Sequence, residues 1–126
     1  MEIHKSAEDY LESILVLKER LGIVRSIDIV RELEYSKPSV SIAMKRLREN
    51  GYIEMDADGY ITLLPPGEEV ARRIYSRHRV LTEFLVSIGV SPETAGEDAC
   101  KIEHDLSDET FACIEAHNRK HALGED

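Results

Sequence analysis

Tryptophan is absent from this chain and cysteine nearly so, with 0 Trp and 2 Cys in 126 residues. Cys100 and Cys113 are too few for the disulfide framework of a small secreted domain, and a reducing cytoplasm is the expected compartment. Apolar runs are short. None approaches the ~18 residues that span a membrane, and Met1-Glu2-Ile3-His4-Lys5 lacks the hydrophobic stretch of a signal peptide. Glycine and proline are sparse, at 7 and 4, which excludes low-complexity chain and lets each be read as punctuation. There is no glycine-rich phosphate loop and no nucleophile–base constellation, so the chain is not expected to be an enzyme. Basic charge is short as well: 16 Lys and Arg face 25 Asp and Glu, for a net charge of -9. The surface as a whole is therefore unsuited to non-specific polyanion binding, although a local basic patch is not excluded.

What is present reads as a mainly α chain, an N-terminal winged helix-turn-helix over 1–64 followed by an all-helical domain over 65–126. Ser6-Ala7-Glu8-Asp9 has the form of an N-cap with an acidic first turn, and Gly22 closes the helix that follows. Its broad apolar face is Tyr10, Leu11, Ile14, Leu15, Leu17 and Leu21, while Asp9 and Glu12 point the other way beside Val16. Ser26 is expected to cap a second helix with Ile27, Val30 and Leu33 at helical spacing. A third opens at Ser36-Lys37-Pro38-Ser39, runs from Val40 to about Asn50, and stops at Gly51. Val40, Ala43, Met44 and Leu47 form its inner side, leaving Ser39, Ser41, Lys45, Arg46 and Arg48 outside. Two alternating runs, Tyr52–Met55 and Tyr60–Leu63, flank Asp56-Ala57-Asp58-Gly59 as a hairpin.

Pro65-Pro66-Gly67 marks a boundary. A long helix from about Glu68 to Ile88 then places Ile74, Leu81, Phe84, Leu85 and Ile88 inward. His78 lies within about 40° of Ile74 and about 20° of Leu85 on the helical wheel, so it too points inward. Ser91-Pro92-Glu93 caps the next helix, which carries Cys100, Glu103 and His104 at i, i+3 and i+4 beside an apolar stripe of Ala95, Ala99, Ile102 and Leu106. A thiol, a carboxylate and an imidazole on one patch are half a coordination shell for a divalent transition ion; a solvated face is the plain alternative. Ser107-Asp108-Glu109 starts a last helix to about Ala122, with Phe111 and Ile114 on its apolar side, and Gly124-Glu125-Asp126 is expected to fray. Within 36–50, Lys37, Lys45, Arg46 and Arg48 face only Glu49, a basic island placed where a recognition helix belongs.

These residues resemble the diphtheria-toxin-repressor and manganese-transport-regulator family of metal-dependent transcriptional regulators. The resemblance covers about residues 5–122. It rests on Asp9-Tyr10-Leu11-Glu12, on Ser36-Lys37-Pro38-Ser39-Val40-Ser41, on Arg77-His78-Arg79, and most specifically on Cys100-Lys101-Ile102-Glu103-His104-Asp105-Leu106-Ser107. It implies that Asp9, Glu12, His78, Cys100, Glu103 and His104 are metal ligands. Asp9 and Glu12 match the manganese branch, whereas Cys100 stands where that branch has glutamate and matches the iron branch. Thr82 and Gly96 depart from the iron branch, and Glu83 is one position off its acid. The extra C-terminal domain of longer members is not expected in this chain.

Three carboxylates suit Mn²⁺ or Fe²⁺, the expected co-repressors, and a thiolate shifts preference toward Fe²⁺, Co²⁺ or Zn²⁺, the last two able to fill such a site in vitro. Six ligands serve two adjacent ions or one ion with spare groups. The resemblance also implies a homodimer on a palindromic double-stranded DNA operator, repressing metal-uptake or metal-homeostasis genes, with no membrane partner. Ser36, Pro38, Ser39 and Ser41 match the family's contact region, and Arg25, Lys37, Lys45 and Arg46 are placed to neutralise phosphates. The wing tip, Asp56-Ala57-Asp58-Gly59, is acidic where a phosphate-contacting wing carries Lys or Arg, so close contact with DNA is not expected there. The alternative is a winged-helix regulator that senses a non-metal signal.

Overall fold

A computed structural model of the chain describes residues 5–122; the expected fraying at Gly124-Glu125-Asp126 lies outside them. The order is α1 (Lys5–Leu21), α2 (Ser26–Leu33), α3 (Lys37–Glu49), β1 (Ile53–Met55), β2 (Ile61–Leu63), α4 (Pro65–Ser87), α5 (Pro92–Ile102) and α6 (Asp108–Ala122). Contacts divide the chain into two compact units, one ending at Arg73 and one starting at Ile74, so the division falls within α4. Among the described residues, no helix is long and apolar enough to cross a membrane.

In the first unit, α1 packs on α2, α3 and β2, and α3 also packs on β1. Leu11, Ile14, Leu17, Val24, Ile29, Val40, Met44, Leu47, Ile53 and Ile61 are all buried there. At about 1.5–3 kcal/mol for each fully buried large aliphatic side chain, this core is what holds short helices that would not persist alone. The sheet is a two-stranded antiparallel pair with Ile53 opposite Leu63, Glu54 opposite Thr62 and Met55 opposite Ile61. The Asp56 carboxylate closes the loop by accepting from the backbone N–H of Asp58 and Tyr60, each at 2.9 Å. Ile61 N–H donates to the Val24 carbonyl at 2.8 Å, which ties the segment before α2 to the hairpin.

Several local expectations need correction. α1 already includes Lys5, so Ser6 lies inside the helix and does not cap it, and Leu21 is 49% exposed. Ser26 is the first residue of α2; the cap is Arg25, whose N–H donates to the Asp28 carboxylate at 2.9 Å. Ile29 is the fully buried residue of α2, and Ile27, Val30 and Leu33 are only half-buried. α3 begins at Lys37, capped by the Ser36 hydroxyl, which accepts from Ser39 N–H at 3.2 Å. α4 begins at Pro65, so the Pro-Pro-Gly run is its first turn, where missing N–H groups cost nothing. Gly67 is needed there because a Cβ would overlap the Tyr52 carbonyl oxygen, which also accepts from Leu64 N–H at 3.0 Å. Ile88 lies past the end of α4 and is 61% exposed.

In the second unit Ile74, Leu81, Ala95 and Ala99 are buried, and α6 buries none of its own residues fully. Ser91 and Ser107 cap α5 and α6, their hydroxyls accepting from Thr94 N–H at 3.4 Å and Thr110 N–H at 3.1 Å. Asn118 of α6 donates to the Val80 carbonyl of α4 at 2.9 Å, and the Phe84 and His117 rings meet edge-on at 5.7 Å.

Candidate metal centre and nucleic-acid interface

α5 stops at Ile102, and Glu103 is its C-cap at the head of a turn closed by a bond from Asp105 N–H to the Ile102 carbonyl at 3.1 Å. Glu103 still follows the helical path, its N–H donating to the Ala99 carbonyl at 3.0 Å, yet it is fully buried and not part of a surface patch, while Ile102 of the expected inner stripe is 37% exposed. His78, on α4, meets it there. The His78 Nδ1 atom lies 2.9 Å from one Glu103 carboxylate oxygen and 3.7 Å from the Cys100 sulfur. The other carboxylate oxygen, Oε1, is buried without a hydrogen bond and lies 3.4 Å from His104 Nε2. His78, Cys100 and Glu103 thus offer one ligand atom each within 4.8 Å of one another.

The electrostatics of this cluster favour positive charge. Hydrogen bonding to Cys100 and then to Glu103 raises the His78 pKa to about 10, against the opposing effect of burial. A buried carboxylate with an unsatisfied oxygen carries a desolvation cost that a cation can offset. The donors present, imidazole nitrogen, thiol sulfur and carboxylate oxygen, fit a late first-row divalent ion better than Mg²⁺ or Ca²⁺, which take oxygen alone. Asp9 and Glu12 lie on α1 in the first unit, both half-buried.

The other expected contact residues cluster on the first unit. Ser36, Lys37, Pro38, Ser39, Ser41, Lys45 and Arg46 are all exposed at the start and along one side of α3. Arg25 is exposed with its guanidinium 4.4 Å from the centre of the Tyr60 ring, which joins the cap of α2 to the hairpin. Glu34, between α2 and α3, takes a left-handed conformation with φ 57° and makes the corner of the helix-turn-helix.

Two residues were missed from sequence. Ile42 is 56% exposed on α3 among the polar contact residues; its signal was an isoleucine opposite the Val40–Met44–Leu47 stripe. Arg77 is buried at 6% exposure, and its signal was a charge on the inward arc between Ile74 and Leu81.

Known proteins match this arrangement in both halves. Residues 2–61 match the iron dependent repressor N-terminal DNA binding domain, and residues 65–122 match the iron dependent repressor metal binding and dimerisation domain. The transcriptional regulator MntR of Salmonella typhimurium is 37% identical over 114 residues, covering 90% of this chain and 73% of that protein. The HTH-type transcriptional regulator MntR of Lysinibacillus sphaericus is 36% identical over 102 residues, covering 81% and 73%. Among solved structures, a manganese-dependent transcriptional repressor in complex with manganese superposes with a TM-score of 0.83 at 29% identity over 90% of this chain. The IdeR of T. acidophilum superposes with a TM-score of 0.77, also at 29% identity. This chain spans 52% and 56% of the length of those two solved chains. With both domains matched in order and relatives more than a third identical over most of their length, the chain belongs to the iron-dependent repressor family of metal-dependent transcriptional regulators.

Proposed function

We propose that this chain is a metal-responsive transcriptional repressor, binding its operator more tightly when a divalent transition ion fills the cluster around Glu103. The observation that carries this is the fully buried Glu103 carboxylate, one oxygen on His78 and the other without a hydrogen bond, beside the Cys100 sulfur. His78, Cys100 and Glu103 would hold the ion together with His104, and Asp9 and Glu12 would add ligands from α1. When bound, the ion supplies the charge that this set of acids leaves unbalanced. Residues 1–64 then act as the DNA-binding domain and 65–126 as the metal-binding and dimerisation domain. Ligands drawn from both would couple α1 to α4 and α5, and so couple ion occupancy to how the DNA-binding domains are presented.

The DNA contacts follow from α3. Ser36, Pro38, Ser39 and Ser41 would approach base edges and backbone, with Ile42 available for the thymine methyl group. Lys37, Lys45, Arg46 and Arg25 would neutralise phosphates and so position the helix without reading sequence. Tyr60 beneath Arg25 leaves that guanidinium pre-ordered. A homodimer fits the second unit, whose α6 buries no residue fully and whose Val86 and Ile88 are 40% and 61% exposed. Two-fold symmetry calls for a palindromic operator.

Duplexes selected from a random pool with ion present, then titrated by fluorescence anisotropy, test the reading. Mn²⁺, Fe²⁺, Co²⁺ or Zn²⁺ should tighten binding at least about fivefold over a chelator-treated sample, the low end of usual allosteric coupling. Equal affinity with chelator would favour a non-metal signal. Manganese is in the name of the solved repressor matched above, yet Cys100 argues for softer ions. Cys100→Glu should therefore move the ranking from Fe²⁺ or Zn²⁺ toward Mn²⁺ in the same titration; an unchanged ranking would show that Cys100 does not set ion preference.

A further inference from the structure

We propose that Arg77 is a positioning residue for the metal centre: its guanidinium holds the turn after α5 so that the Glu103 carboxylate faces His78 and Cys100 before an ion arrives. This rests on the reading of those three side chains as ligands. Arg77 Nη1 donates to the Glu103 carbonyl at 3.2 Å and to the Leu106 carbonyl at 2.8 Å, so one nitrogen bridges both ends of the turn. Nη2 donates to the Asp108 carboxylate at 2.6 Å, at the first residue of α6, and the guanidinium lies 5.2 Å from the Phe111 ring centre. The turn carries no glycine or proline to set its shape, and buried carbonyls there need donors. Arg77 supplies them, from the residue next to His78.

The contacts are not equal. Asp108 is 96% exposed, so its charge is screened and its pairing contributes little. The two carbonyl bonds form the working part. Arg77 also has an opposite effect open to it, because a fixed positive charge beside a cation site weakens cation binding. Positioning and repulsion predict changes of opposite sign when the residue is removed, and that makes the role decidable.

Arg77→Met and Arg77→Lys in the full chain should be compared with wild type by competition of Zn²⁺ and Mn²⁺ against a fluorescent chelator. Hydrogen exchange across 103–108 in the ion-free protein is the second readout. Arg77→Met should lose about 10–100-fold in ion affinity, the usual effect of removing a group that orients a ligand. Exchange across 103–108 should speed up by about tenfold, with α4 amides unchanged. Arg77→Lys should lose nearly as much, since an ammonium lacks the planar fork that joins these acceptors, and it carries the test if the methionine variant does not fold. Asp108→Asn should stay within about twofold of wild type. Tighter ion binding in Arg77→Met, unchanged exchange across 103–108, or an equal affinity loss in Asn118→Ala, which breaks a different bond in the same unit, overturns the proposal. If wild type binds neither ion, the ligand reading fails, and the exchange measurement alone still accepts or rejects the hold on the turn.

Discussion

Glu103→Gln should remove high-affinity ion binding while leaving the ion-free protein as stable as wild type or more so. Glutamine keeps the volume and an acceptor for His78, but it takes away a fully buried negative charge with one unsatisfied oxygen. Burying a charge costs several kcal/mol, which its pairings with His78, 29% exposed, and with His104 at 3.4 Å only partly offset. The ion-free melting temperature should therefore hold or rise. The loaded state should behave in the opposite way, because an amide is a far poorer ligand than a carboxylate. Wild type at an ion concentration of about 100 Kd gains about 2.7 kcal/mol of apparent stability, and the variant should gain almost none. Thermal unfolding with and without Mn²⁺ or Zn²⁺ reads both halves. Retained ion-dependent stabilisation in Glu103→Gln would remove Glu103 from the ligand set.

Gly67→Ala should be among the most damaging single changes in the first unit. Within a helix, alanine is ordinarily favoured over glycine by about 1 kcal/mol. Here the added carbon would overlap the Tyr52 carbonyl oxygen, a backbone atom that cannot swing aside and that already accepts from Leu64 N–H. Overpacking of this kind costs about 1–3 kcal/mol, and because the neighbour is backbone the upper part of that range applies and outweighs the propensity gain. At about 4–8 °C per kcal/mol for a domain of this size, the drop in melting temperature should be on the order of 10 °C. Gly96→Ala is the matched control: it sits in α5 with nothing within 4 Å of its would-be Cβ, and it should melt at or above wild type. If Gly67→Ala unfolds with Gly96→Ala, the close approach of hairpin and helix is not a constraint in solution.

Where a helix starts or stops by local chemistry, the residues announced it. Ser91 caps as expected, Ser36 and Ser107 cap helices close to where each was expected to open, and Gly22 and Gly51 take the positive φ that their positions require. Where the controlling group lies elsewhere, reading along the chain failed. Ser26 looked like a cap, but the bond that starts α2 runs from Arg25 N–H to Asp28, so the acceptor sits inside the helix. Pro65 and Pro66 looked like a break because prolines end helices, yet in a first turn they are compatible with one. The inward arc of α4 placed His78 correctly and also contained Arg77, but a helical wheel does not show carbonyls 26 and 29 residues away. The 100–104 spacing suggested a surface patch, but spacing along one helix does not show what a neighbouring helix covers, and Glu103 is buried against His78 of α4.

Cys100 and Glu103 belong to one cluster but differ in burial: Cys100 is exposed, whereas Glu103 is wholly enclosed. Changes at exposed positions usually alter stability by no more than about 0.5 kcal/mol, whereas a change at position 103 takes the enclosed carboxylate away from His78 and Cys100. A lineage carrying this fold can therefore exchange the side chain at position 100 almost neutrally and meet a new supply of ions without rebuilding its interior. Position 103 has no such freedom. With the cluster read as the proposed ion site, diversification of ion preference should run through its rim while its floor stays constant, and the exposed thiol would be its evolvable part.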